Sequence, residues 1–208
     1  LMSNPIYIKN ASLIEKRFPS LYIKLEASEV SGNFQVSSSK SGTPTLSFLT
    51  ENNPAKYLHS AYRPENESEK YINGLPVNDF LSFIVVGSGL GYNLLELTRR
   101  VSKNSKIILI ENNIEIFKLA LESLDLSEPL QHPGLSILIA PSVADLNEII
   151  TTEAFGLALN GFLPVVHKPS ISLFPNFYKD VDGILNKAIQ EAEINQKTQS
   201  KFSRMFFH

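Results

Sequence analysis

At 208 residues the chain suits one domain, with room for a small appendage, and is long enough to bury most of its apolar surface. Its 19 basic and 21 acidic side chains leave a net charge of −2 without any lysine- or arginine-rich run, so nucleic acid is not an expected partner. The absence of cysteine excludes disulfides, thiolate nucleophiles and cysteine-held zinc, and four histidines without an i, i+4 pair argue against a metal site. No apolar run reaches the ~18 residues of a membrane span, so a soluble, cytoplasmic protein is expected, with no membrane partner.

In chain order, residues 4–18 carry apolar side chains at helical spacing and end at Pro19, which predicts a short lead-in helix. Residues 21–26, 33–36 and 45–49 alternate apolar and polar positions between the turn residues Gly32 and Gly42-Thr43-Pro44, which predicts a small antiparallel meander. Pro64 followed by Glu65, Glu67 and Glu69 is a helix start, with proline in the first turn and acids at the positive end of the dipole. From residue 83 onward strands and helices alternate. Strands are expected at 83–86, 106–111, 135–139, 155–159 and 163–166, and helices after Gly91, at 114–123 and at 143–151. A long amphipathic helix is expected from residue 176 to about 197. Such alternation implies a parallel sheet with right-handed crossovers.

The densest signal is Phe83-Ile84-Val85-Val86-Gly87-Ser88-Gly89-Leu90-Gly91-Tyr92-Asn93, followed by a second strand that ends on Glu111. A strand running into glycines that open a helix presents backbone N–H groups to a polar ligand, and an acid ending the next strand can accept from both ribose hydroxyls. The dinucleotide fingerprint wants its third glycine at position 92, which is tyrosine; the turn is Gly-x-Gly-x-Gly and resembles the first motif of S-adenosylmethionine methyltransferases. The fold class expected is therefore α/β. It is a Rossmann-like, methyltransferase-like, mostly parallel sheet with helices on both faces, preceded by a small N-terminal β-meander. The division expected is a lead-in over 1–75 and the Rossmann-like unit over 76–208. Gly87, Ser88, Gly89, Gly91 and Glu111 are candidates for binding a nucleotide, a sugar nucleotide or S-adenosylmethionine. The plainer alternative is a tight turn that needs φ > 0, with Glu111 capping the helix that follows.

A second cluster is His59, Ser60, Tyr62, Arg63 and Glu67. These residues either line the same crevice as the glycine turn, or Ser60 caps the helix starting near Pro64 while His59 satisfies a buried backbone group. Adjacent Ser60 and His59 do not suit a catalytic pair, and no catalytic residue is assigned. Asp145 and Asn160 follow later strands, but neither stretch matches the methyltransferase patterns for an adenine-contacting acid or an acceptor clamp. His167-Lys168-Pro169 reads as a solvated loop or as a contact for a phosphate or carboxylate.

The ordered set Leu58-His59-Ser60-Ala61-Tyr62-Arg63-Pro64-Glu65-Asn66-Glu67, the glycine turn, Ile110-Glu111-Asn112 and Asn195-Gln196-Lys197-Thr198 with Phe202 resembles the N-terminal domain of the motility-associated factor (Maf) proteins. These are flagellin glycosyltransferases related to the hydroxymethylpterin pyrophosphokinase-like family. The likeness spans residues 22–208, and Arg63 departs from it, standing where the family tends to place aspartate. The resemblance implies a non-catalytic domain whose partner is a downstream sialyltransferase-like catalytic domain of the same polypeptide. It further implies a parent that transfers a nonulosonic acid to serine or threonine of a flagellin-like acceptor. Leu1 ahead of Met2 is expected to be a remnant of an expression tag, and the aromatic-rich stretch 202–208 is what a piece of a longer protein is expected to end on.

Overall fold

The computed structural model describes residues 4–50 and 53–206 of the chain. Helix α1 (Pro5–Arg17) is started by Asn4, whose side chain accepts from the Ile6 and Tyr7 amides, and by Pro5 at the first helical position. Residues 21–26, expected as a strand, instead form helix α2 (Pro19–Glu26). Pro19 pre-sets the helical φ at its first position, and the alternation of Leu21, Ile23 and Leu25 also contains an i, i+4 pair. Leu25 is buried while Ile23 is 69% exposed, an asymmetry a helix produces and a strand with one buried face does not.

The meander therefore draws its third strand from further on. Strands β1 (Phe34–Ser38), β2 (Pro44–Thr50) and β3 (Asn53–Tyr57) form an antiparallel sheet in the order β1-β2-β3. Its register pairs Phe34 with Phe48 and Val36 with Leu46, and the two phenyl rings lie 5.2 Å apart. Helix α3 (Pro64–Asn73) then leads to β4 (Ser82–Val86).

The second sheet is parallel throughout, in the order β6-β5-β4-β7, with β5 (Lys106–Glu111), β6 (Leu135–Ile139) and β7 (Leu163–Val166). On one face Phe83, Val85, Ile107 and Leu109 meet α4 (Tyr92–Thr98), α5 (Ile114–Ser123) and the short α6 (Ser127–Leu130). On the other, Ile84, Val86, Ile108 and Ile110 meet α7 (Val143–Asn160) and α9 (Pro175–Phe206), which pack on each other. Helix α8 (Lys168–Leu173) joins β7 to α9. The α/β class, the parallel sheet with helices on both faces and the preceding meander are as the sequence predicts.

Two expectations in this half are corrected. The strand expected at 155–159 is the last part of α7, because Leu146, Ile150, Ala154 and Leu157 recur at helical spacing and are all buried. A capping box between Ser142 and Asp145 starts that helix and Gly161, at φ +71°, ends it. Helix α9 also runs beyond the expected end near 197; the side chains of 192, 193 and 195–206 and all of 207–208 lie outside the described residues, and with them the side chains of Asn195-Gln196-Lys197-Thr198 and Phe202. A single apolar cluster joins Ile14, Leu46, Leu58 and Ile72 of the first 75 residues to Phe83 and Val85 of the parallel sheet. Among the described residues no helix is long and apolar enough to cross a membrane.

Candidate functional site

The loop after β4 has three glycines at positive φ: Gly87 at +77°, Gly89 at +50° and Gly91 at +94°, the last being the residue from which α4 starts. Their freedom is used for close approach as much as for turning. A Cβ on Gly87 would lie 2.6 Å from Ser170 Cβ. One on Gly89 would overlap His59 Nε2 and lie 2.7 Å from His59 Cε1 and 2.9 Å from His167 Cε1. The space that a dinucleotide-type turn leaves for a ligand is here in van der Waals contact with the chain's own histidines and a serine.

The polar groups of the turn are matched accordingly. Leu90 N–H donates to His59 Nε2 at 2.8 Å. Glu111 is fully buried and accepts from Ser88 N at 2.7 Å, Ser88 Oγ at 3.0 Å, Asn113 N at 3.0 Å and Tyr178 Oη at 3.3 Å. Burial pushes its carboxyl pKa up, against the opposing pull of the Ser88 and Asn113 donors. A ribose would reach this carboxylate only by displacing Ser88 or Tyr178. The helix after β5 is capped by Asn113, which accepts from Glu115 N and Ile116 N, and not by Glu111.

His167, expected as part of a solvated loop, is instead buried. It directs Nε2 to Leu58 O at 3.0 Å and Nδ1 to Ser170 Oγ at 2.7 Å; its ring is 4.7 Å from that of His59. Since Leu58 O can only accept, His167 carries its hydrogen on Nε2 and Ser170 donates to Nδ1. Burial lowers the His167 pKa to about 4, and burial with the neighbouring His167 lowers that of His59 well below 6.5. Ser170 and His167 have hydroxyl-to-imidazole geometry, but Ser170 is fully buried and so is closed to any substrate. Tyr92 sets its ring edge-on to His59 at 5.3 Å and donates to Pro44 O at 2.7 Å, tying the turn to the meander.

The sequence-selected residues are therefore divided by the structure. Gly87, Ser88, Gly89, Gly91, Glu111 and His59 come together at the mouth of the parallel sheet. Ser60, Tyr62 and Arg63 face a separate open cavity of about 560 Å³ with Lys40, Ser41 and Lys70, where Lys40 Nζ stands 4.2 Å above the Tyr62 ring. Glu67 borders both regions and accepts from Ser60 N at 2.9 Å, while Ser60 Oγ accepts from the Tyr62 and Arg63 amides ahead of α3. Asp145 is engaged in the α7 cap. Tyr71, Asn93, Ser170 and Tyr178 were not legible as site residues. Asn93 follows the turn directly in α4 and Tyr71 lies in α3 ahead of β4, whereas Ser170 and Tyr178 reach the turn only because β7, which precedes them, pairs with β4.

This geometry defines a Rossmann-like α/β unit with its glycine turn occupied from within. The structure is similar to that of the Maf glycosyltransferase from Magnetospirillum magneticum AMB-1, with a TM-score of 0.60 and 11% identity, over 91% of this chain and 35% of that one. The chain thus spans about a third of that glycosyltransferase. It is also 28% identical over 214 residues to an uncharacterized protein of Treponema pallidum (strain Nichols), covering 96% of this chain and 68% of the relative. No protein-family model matches the sequence. The likeness to a Maf fold stands; its extension to hydroxymethylpterin pyrophosphokinases finds no support in these comparisons.

Proposed function

We propose that this chain is the Rossmann-like, non-catalytic unit of a larger Maf-type protein glycosyltransferase. In this reading the parent transfers a nonulosonic acid from a nucleotide donor to serine or threonine hydroxyls of a flagellin-like acceptor. The present unit shapes and supports the neighbouring transferase centre. The observation that carries the reading is the shared fold over 91% of this chain. The internally satisfied glycine turn agrees with it, because a scaffold can keep its mouth closed whereas a nucleoside-binding enzyme cannot. A methyltransferase reading draws on Gly87, Gly89, Gly91 and Glu111 alone, and the carboxylate it needs is held by four protein donors.

The test is a transferase assay with a cytidine monophosphate-activated nonulosonic acid and unmodified flagellin. It compares the 208-residue chain with the longest natural polypeptide that contains it. Transfer by the longer polypeptide and none by the chain alone is expected. Transfer by the chain alone, or methylation of any acceptor by it from S-adenosylmethionine, would overturn the proposal.

A further inference from the structure

In the order β6-β5-β4-β7 the chain steps outward from β4 through β5 to β6 and then crosses back to β7 on the other side of β4, so the carboxyl ends of β4 and β7 flank a topological switch point, where open α/β sheets receive ligands. A cavity of about 200 Å³ lies there, bordered by His59, Glu67, Tyr71, Asn93, His167 and Lys168 among others. It adjoins the glycine turn through His59 and His167, whose rings lie against Gly89 and also border the cavity.

Apart from the Glu67 carboxylate at its rim, the polar groups it offers are hydrogen-bond donors. Leu90 N–H occupies His59 Nε2, so the neutral ring carries its hydrogen on Nδ1. Ser68 Oγ donates to Asn93 Oδ1 at 2.6 Å, which leaves the Asn93 NH2 for the cavity. Val166 N–H donates to Tyr71 Oη at 2.9 Å, which leaves the phenolic hydrogen without an acceptor among the described residues. His59 and Asn93 are only 7% and 8% exposed. Neither His59 Nδ1 nor Asn93 Nδ2 has a partner among the described residues, yet no described side-chain nitrogen or oxygen is sealed from solvent without one. Both therefore open onto the cavity. Lys168 adds an exposed ammonium that makes no ion pair among the described residues. The one carboxylate on the rim, Glu67, already accepts from Ser60 N.

Several donors, two of them on nine-tenths-buried side chains, with one cation and no free buried acceptor, match a ligand that offers only acceptors. We infer that this switch-point cavity binds a small oxyanion, the phosphoryl or carboxylate group of a sugar-sized molecule, through His59 Nδ1, Tyr71 Oη, Asn93 Nδ2 and Lys168 Nζ. The volume admits such a group. The inference goes beyond the transferase reading and holds or fails independently of it, since it concerns binding by this chain alone.

Titration of the ¹⁵N-labelled 208-residue chain with inorganic phosphate, with glucuronate and with uncharged glucose tests it, read at the Asn93 side-chain amide and the His59 ring nitrogens. Saturable shifts at both groups by about 10 mM phosphate or glucuronate, and none with glucose, are expected. The anion that saturates identifies the source, and either one supports the site. Lys168→Gln, at an exposed position that leaves the fold intact, is expected to weaken binding about tenfold. Lys103→Gln, at a remote lysine, is expected to leave it unchanged. No saturation with either anion, shifts that miss Asn93 and His59, or equal affinity in Lys168→Gln would overturn the inference.

Discussion

A methyl group at position 89 collides with two histidine rings, and the same methyl at Gly32 meets nothing within 4 Å, although both residues have positive φ. The pair of substitutions separates backbone strain from packing. Gly32→Ala is expected to cost about 1 kcal/mol, the left-handed penalty alone. Gly89→Ala is expected to cost roughly 3 kcal/mol, the difference reflecting displaced His59 and His167. Urea denaturation of both variants measures this, and equal losses would mean the rings do not pack on the turn.

The two histidines also set a pH dependence. Their folded pKa values lie below 6.5, so between 6.5 and about 4 the unfolded chain binds more protons and stability falls as pH falls. Glu111 acts in the opposite sense, because its raised pKa makes the folded state bind the extra proton above 4.5. Comparing wild type with His167→Gln cancels the Glu111 contribution. The variant is expected to lose a share of the acid-side slope worth roughly 3 kcal/mol over that window, visible as a flatter plot of melting temperature against pH. An unchanged slope would place His167 in solvent.

At the scale of elements, legibility followed how far local chemistry suffices. Helix α5, strand β6 and strand β7 fall where the sequence predicts them, since Asn113 caps the first and short, mostly apolar segments mark the others. In the region of α2, six residues with apolar positions 21, 23 and 25 satisfy a strand and a helix equally. The arbiter is tertiary: Lys24 reaches the carbonyls of Ile139 and Ala140, at 2.8 and 2.9 Å. The false strand within α7 came from reading Phe155 to Leu159 apart from the stripe that begins at Leu146. That helix depends on its cap, and Ser142→Ala is expected to cost about 1 kcal/mol by thermal denaturation. A loss near zero would show that packing on α9 alone holds its start.

For the molecule as a whole, the glycines and Glu111 were visible in sequence while the contents of the site were not. His59 and His167 are more than a hundred residues apart, and their meeting depends on β7 pairing with β4. The lead-in segment is likewise built into the core. Asn10, buried in α1, donates to Leu121 O and Leu124 O and accepts from Leu126 N, sealing the α5–α6 connection. A fragment of residues 76–208 is therefore expected to lack a cooperative unfolding transition, which differential scanning calorimetry reads directly. A sharp transition matching that of the full chain would show that the sheet unit stands alone.

A Rossmann-like mouth filled by its own side chains has no room for a nucleoside at the glycine turn. Isothermal titration of the 208-residue chain with S-adenosylmethionine and with cytidine at neutral pH probes that claim most directly. The geometry of Glu111, His59 and His167 predicts no saturable heat with either nucleoside. A saturable, one-to-one binding isotherm with either would contradict it.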